Sequence, residues 1–218
     1  MIFYATSGLH QSDILAEEAR MAGAEEIVTS SSGVHFTGDL RVAYRFLLTS
    51  HTATRLLLGI YEDDDIRSAD EFYDASMMIP WEEWIDPSKS FSVTITTKNV
   101  RYLKHSNFGA LRLKDAIVDR IREHFDGRRP NVDRDDGDLI FHVHLEEDRA
   151  TWFVDLSGQG HHKRGYRGDQ TDALLAEHLA FSLLYRSQWR KLADETGSFP
   201  TLLDPFCGSG TIVIEAAL

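Results

Sequence analysis

The sequence has 218 residues, 42% hydrophobic and 27% charged, a balance that excludes wholesale disorder and a coiled coil and allows one or two domains. No apolar run reaches the roughly 18 residues of a membrane span, the opening MIFYATSGLHQSD lacks the basic stretch of a secretory signal, and the single cysteine, Cys207, excludes an internal disulfide framework and a cysteine-based zinc site, so a cytoplasmic protein is expected. The net charge of −12 excludes a uniformly basic nucleic-acid-binding surface, and a polyanion could be met only by a local basic excess.

From the N-terminus, IFYATS (2–7) reads as a strand. Residues 11–23 read as a helix, with Ile14, Leu15, Glu18, Ala19 and Ala22 at helical spacing and Gly23 as its stop. Residues 26–30 and 33–37 read as two strands around an SSG turn. Residues 39–50 form an amphipathic helix behind the acidic N-cap Asp39, and 53–61 a further strand. The order β-α-β-β-α-β is that of a ferredoxin-like fold. His35 and His51 stand isolated and read as structural. The run EDDD (62–65) reads as solvated punctuation that ends the unit, rather than as a metal site.

Residues 68–85 read as a helix whose Phe72, Tyr73, Met77, Met78, Trp81 and Trp84 form a core stripe. FSVTITTK (91–98) alternates as a strand does. Residues 107–126 form the clearest helix, with Leu113, Ile117, Ile121 and Phe125 on one stripe and Arg112, Lys114 and Arg122 outside it. Residues 138–145 and 149–157 are two more strands around a tight turn at Glu147-Asp148. His142 and His144 share a strand face, but with no third ligand evident they read as a structural or solvent-facing pair.

Charge is unevenly spread along the chain. Residues 1–90 carry 6 basic and 16 acidic side chains, whereas residues 98–129 carry nine basic and four acidic. GQGHHKRGYRGD (158–169) then gathers Lys163, Arg164 and Arg167 around Tyr166, a mixture that suits phosphate contact and base stacking. The residues expected to meet a polyanion are Lys98, Arg101, Lys104, Arg112, Lys114, Arg128, Arg129, Lys163, Arg164, Tyr166 and Arg167. A solvated helix face followed by a plain linker is the competing reading.

The sharpest motif is TLLDPFCGSGTIVIEAAL (201–218). Residues 201–203 read as an apolar strand ending at Asp204, a glycine-rich turn follows at 207–210, and a helix opens at about Thr211. Glycines let a ligand approach the backbone, and a helix start offers unpaired N–H groups. A dinucleotide fingerprint would need a third glycine where Val213 stands, and a phosphate-binding Walker loop would need a lysine that is absent. The S-adenosylmethionine pattern D-x-F-x-G-x-G is met by Asp204, Phe206, Gly208 and Gly210. Cys207 could be read as a nucleophile, but no histidine lies nearby in sequence.

DPFCGSGT (204–211) resembles motif I of class I S-adenosylmethionine-dependent methyltransferases, in the variant of the RNA guanine-N2 enzymes. GVHFTGD (33–39), FGALRLKDAIVDRIRE (108–123), RPNVDRD (129–135) and DLSGQGHHKRGYR (155–167) resemble the N-terminal region of the bacterial 23S rRNA guanine-N2 methyltransferase L family. The resemblance implies an α+β chain: a ferredoxin-like domain (1–65), a THUMP RNA-binding domain (66–168), and a linker helix with the first β-loop-α of a Rossmann-like methyltransferase domain (169–218). It implies S-adenosyl-L-methionine as cofactor, held by Asp204, Pro205, Phe206, Cys207, Gly208, Ser209, Gly210 and Thr211, and no metal or membrane. It implies RNA as partner, rRNA first and tRNA as the alternative, with methyl transfer to a guanine N2 amine. A non-catalytic THUMP RNA-binding protein would have no reason to carry DPFCG. The family's Asn/Asp-Pro-Pro-aromatic motif, which positions the target amine, would follow Leu218. No catalytic residue is therefore expected in these residues, and alone they are expected to be inactive. The family's APL-type helix start after HKRGYR is replaced by Thr171-Asp172-Ala173-Leu174-Leu175.

Overall fold

A computed structural model describes residues 1–103, 105–158, 160–161, 164–166 and 175–218. The chain divides into two compact units, Met1–Leu56 with Gln159–Leu218, and Leu57–Gly158. The first unit begins with β1 (Ile2–Ser7), α1 (Ser12–Ala22), β2 (Glu25–Thr29), β3 (Gly33–Thr37), α2 (Leu40–Thr49) and the opening residues of β4 (Ala53–Asp63), the expected β-α-β-β-α-β order. The strands lie in the order β2-β3-β1-β4. β1 and β3 run antiparallel from Ile2 opposite Thr37 to Thr6 opposite Gly33. α1 ends where Gly23 turns left-handed (φ 94), with Gly23 N–H bonded to Arg20 O and Ala24 N–H to Ala19 O. α2 starts at Asp39, whose carboxylate accepts from Val42 N–H at 2.9 Å. Phe3, Phe36 and Phe46 carry the core between sheet and helix, with ring centroids 5.4 and 5.3 Å apart.

The second unit takes residues 57–63 of β4, then α3 (Ala69–Met78), a 3₁₀ turn (Trp81–Glu83), β5 (Ser90–Lys98), α4 (Ser106–His124), β6 (Asn131–Val132), β7 (Leu139–Glu146) and β8 (Arg149–Asp155). Its strands follow the order β4-β8-β7-β5-β6. β8 is antiparallel to both neighbours, and β5 is parallel to β7 and β6. Phe72, Trp81, Phe91, Leu113, Ile117, Ile121, Phe141, Val143, Leu145 and Trp152 are fully buried. Both buried indoles are satisfied at one serine: Trp81 Nε1 donates to Ser76 O at 2.8 Å and Trp152 Nε1 to Ser76 Oγ at 3.1 Å.

Two expectations need correction here. The helix read over 68–85 is broken, because Pro80 cannot continue it and Ile79 turns extended (ψ 131), leaving Met78 exposed. Phe125, just past the end of α4, is half-buried and still packs against the core that holds Leu113, Ile117 and Ile121, as the stripe implies. The acidic run is not where the first unit breaks off, since that unit's first segment stops at Leu56: Glu62 and Asp63 lie within β4, and Arg149 pairs with Glu62 and Asp64.

The first unit is completed by α5 (Glu177–Arg186), α6 (Trp189–Thr196) and α7 (Thr211–Ala217). Residues 201–203 are not a strand but irregular chain. A strand exists only through ladder partners, and none of the described strands pairs with this segment. Among the described residues no helix is long and apolar enough to cross a membrane.

Candidate functional site

The turn at 204–211 is built by its own short-range bonds. Asp204 Oδ1 accepts from Phe206 N–H at 3.2 Å, Gly210 N–H donates to Cys207 O at 2.7 Å, and Ile214 N–H to Gly210 O at 2.9 Å opens α7. Gly208 (φ 51) and Gly210 (φ 74) lie in the left-handed region. A Cβ would meet nothing closer than 3.9 Å at Gly208 and 4.0 Å at Gly210, so conformation alone demands glycine and the space over the turn is open. Ser209 Oγ and Thr211 Oγ1 are 3.0 Å apart. Cys207 is exposed, its thiol reaching Gly208 O at 3.9 Å. Thr211 is buried, so a carboxylate, the exposed Ser209 hydroxyl and an open glycine backbone, with no cation among residues 204–211, suit a zwitterionic amino acid end better than a phosphate chain. The turn therefore fits the methionine half of S-adenosylmethionine.

Behind this turn lies a carboxylate that sequence reading passed over. Glu215 of α7 is 3% exposed. Arg164 pairs with its Oε2, Tyr166 Oη donates to Oε1 at 2.8 Å, and His51 Nδ1 lies 4.0 Å from Oε2. Although burial pulls the other way, these donors together hold the Glu215 carboxyl below the usual carboxylate range. A second buried carboxylate, Glu18, organises the turn at 50–52. It accepts from Ser50 Oγ at 2.7 Å, His51 N–H at 2.8 Å, Thr52 N–H at 3.2 Å and Thr52 Oγ1. The visible signal for Glu18 was its place among the apolar positions of α1, a face on which a charge must find donors.

The basic residues fall into three groups. Lys98 pairs with Glu146, Arg112 pairs with Asp70 and lies over the Tyr73 ring at 5.0 Å, Lys114 pairs with Asp115 at 2.5 Å, and Arg164 and Tyr166 are held at Glu215. Arg101, Arg128 and Arg129 are exposed. Arg128 sits over the Phe125 ring at 6.0 Å, and Arg128, Arg129, Phe125 and Gly127 share an open depression of about 650 Å³ with residues 86–88. Lys104, Lys163 and Arg167 lie outside the described residues, as do Thr171, Asp172, Ala173 and Leu174. His142 Nε2 and His144 Nδ1 meet one hydroxyl, Thr96 Oγ1, at 3.2 and 2.9 Å, and burial pushes the His144 imidazole down. His35 stacks on Tyr4 at 4.3 Å. Among the described residues no three His, Cys, Asp or Glu side chains gather as metal ligands would.

Known families match the chain in sequence order: the RlmL ferredoxin-like domain over residues 1–57, the THUMP domain over 67–155, and the RMKL-like methyltransferase domain over 164–218. Among curated relatives, a ribosomal RNA large subunit methyltransferase K/L of Syntrophotalea carbinolica is 41% identical over 216 residues, covering 99% of this chain and 30% of the relative. Its counterpart from Pseudomonas aeruginosa is 42% identical over 205 residues, covering 94% of this chain and 27% of the relative. The chain thus spans under a third of the length of these relatives. Among solved structures, a chain described as a predicted N6-adenine-specific DNA methylase from Listeria monocytogenes has a TM-score of 0.79 at 27% identity, covering 99% of this chain and 54% of that one. TrmN from Thermus thermophilus has a TM-score of 0.72 at 24% identity, covering 99% and 61%, a likeness of fold. The chain carries, in order, a RlmL ferredoxin-like domain, a THUMP domain and the opening of an RMKL-like methyltransferase domain.

Proposed function

We propose that this chain, which is homologous over nearly its whole length to the first part of the ribosomal RNA large subunit methyltransferases K/L, is the RNA-engaging portion and first cofactor-binding element of an S-adenosylmethionine-dependent rRNA guanine-N2 methyltransferase. The observation that carries the reading is the open glycine turn at 204–211 joined in one chain to a THUMP domain. Asp204, the Ser209 hydroxyl and the backbone of 207–211 bind the amino acid end of S-adenosylmethionine, which when bound supplies an electrophilic methyl group. The left-handed glycines keep side chains out of that approach and so let the ligand reach the main chain. The exposed guanidinium groups Arg101, Arg128 and Arg129 meet RNA phosphates. A target guanine must leave its stack before its amine can reach the methyl group. An rRNA substrate places the work in the cytoplasm.

The test is a methyl-transfer assay with the natural full-length polypeptide, 23S rRNA fragments, tRNA and labelled S-adenosylmethionine, followed by nucleoside analysis. N2-methylguanosine formed in the rRNA supports the reading. Label appearing only in tRNA, or at another atom, overturns the substrate assignment.

A further inference from the structure

We infer that the ferredoxin-like portion sets the cofactor turn: Glu215, bonded by Tyr166 and clamped by Arg164 onto the turn at 50–52 that Glu18 organises, is a positioning residue for 204–211. The inference rests on the reading of that turn as the S-adenosylmethionine site.

The chain of contacts is continuous and lies within one compact unit. Arg164 spends one side of its guanidinium on Glu215 and donates with Nη2 to His51 O at 2.7 Å. His51 closes the same loop from the other direction, its ring stacked on Phe181 of α5 at 4.2 Å and 13°. His161 ties the segment to the same stretch of chain, with N–H to Thr54 O at 2.9 Å and Nε2 3.3 Å from Ser50 O. The turn these groups grip is held underneath by four hydrogen bonds to the Glu18 carboxylate. Two buried carboxylates, one from α1 and one from α7, therefore share the turn at 50–52.

Charge is the informative part. An apolar residue at 215 would bury a short helix at least as well, because a buried ion pair has to overcome the desolvation of both partners. Directional bonds, however, fix an orientation that apolar packing leaves free. α7 is only seven residues long and follows the glycine turn directly, with Gly210 as its N-cap and Glu215 lying one helical turn beyond Thr211. A small tilt of α7 at Glu215 is therefore carried directly into the backbone of 207–211.

The test uses the full-length natural protein and the variants Glu215→Gln, Arg164→Met and Glu18→Gln. Calorimetry should show S-adenosylmethionine binding weakened on the order of tenfold in each, with rRNA-fragment affinity unchanged in Glu215→Gln and Glu18→Gln. Without ligand, amide exchange at 207–211 should speed up while β1 and β3 keep the parental rate. Glu18→Gln should do this although Glu18 is bonded to the turn at 50–52 and not to α7. The double variant Glu18→Gln/Glu215→Gln should be weaker by less than the product of the singles, as groups acting through one turn are not additive. If Glu215→Gln does not fold, Arg164→Lys, which keeps the charge and loses the forked geometry, is measured in its place. Parental cofactor affinity with parental exchange at 207–211 overturns the inference, whatever the melting temperature does. A parent protein that binds no S-adenosylmethionine overturns the proposed function instead, and the exchange rates at 207–211 still decide the positioning role.

Discussion

Tyr102 buries a hydroxyl that finds no hydrogen-bond partner among the described residues, and burial pushes its pKa up to about 12. An unsatisfied buried hydroxyl costs more than the interaction it forgoes, so Tyr102→Phe is expected to stabilise the second unit by about 1 kcal/mol in urea unfolding. A lower midpoint would mean that the hydroxyl is in fact bonded. Arg120 and Glu82 show the opposite case. The guanidinium holds both carboxylate oxygens, at 3.0 and 2.6 Å, and these bonds keep the Glu82 carboxyl below its ordinary value of 4.5. A depressed carboxyl contributes stability that is complete above the unfolded value and is lost as pH falls through the folded one. Arg120→Ala should therefore destabilise by about 1–2 kcal/mol near neutrality, and its gap from the parent in melting temperature should close as pH drops below 4.5. A gap independent of pH would remove the ion pair from the account. Composition could flag neither residue, since each depends on what surrounds a single atom.

At the level of elements, Gly33 tolerates a side chain least among the glycines whose surroundings are described. A Cβ there would lie 2.1 Å from Ala5 O, inside the β1–β3 ladder, and backbone cannot yield as a side chain can. Gly33→Ala is expected to cost about 2–3 kcal/mol, with amide protection in β1 and β3 lost before that of β7 and β8. Uniform loss across both units, or none, would count against this. The helices α1, α2 and α4 could be read from apolar spacing and caps because one face of each packs locally. The break at Pro80 could also have been read, and the aromatic stripe around it concealed it. β6 could not, because two residues become a strand only by lying beside β5. The apolar run at 201–203 carries strand propensity, yet it has no described ladder partner and stays irregular. The glycine turn beyond it was readable because its left-handed residues and its Asp204 bond are local. The Glu18 and Glu215 network was not, because it joins residues 18, 51, 164 and 215.

Over the whole molecule a net charge of −12 opposes RNA, so the proposed binding would rest on locally exposed cations. Sequence counts alone could not separate these from the rest. Lys98 and Arg112 already face Glu146 and Asp70, and Arg164 is committed to Glu215, whereas Arg101, Arg128 and Arg129 are exposed. Two of the three border the depression beside Phe125, where a phosphate contact and a stacked base could be made together. Replacing Arg101, Arg128 and Arg129 by alanine should weaken binding of an rRNA fragment at low salt. It should also flatten the dependence of log affinity on log salt by up to about two units, since each contact to a single strand contributes roughly 0.7. Replacing Arg20, Arg41 and Arg45 removes the same formal charge but should change the slope far less, because Arg20 pairs with Glu17 and Arg45 donates to Ala22 O. Filter binding at two salt concentrations, beside a melting curve for each variant, separates lost contacts from lost structure. If the Arg101, Arg128 and Arg129 variant melts like the parent and binds RNA with the parental slope, the RNA surface lies elsewhere on the chain.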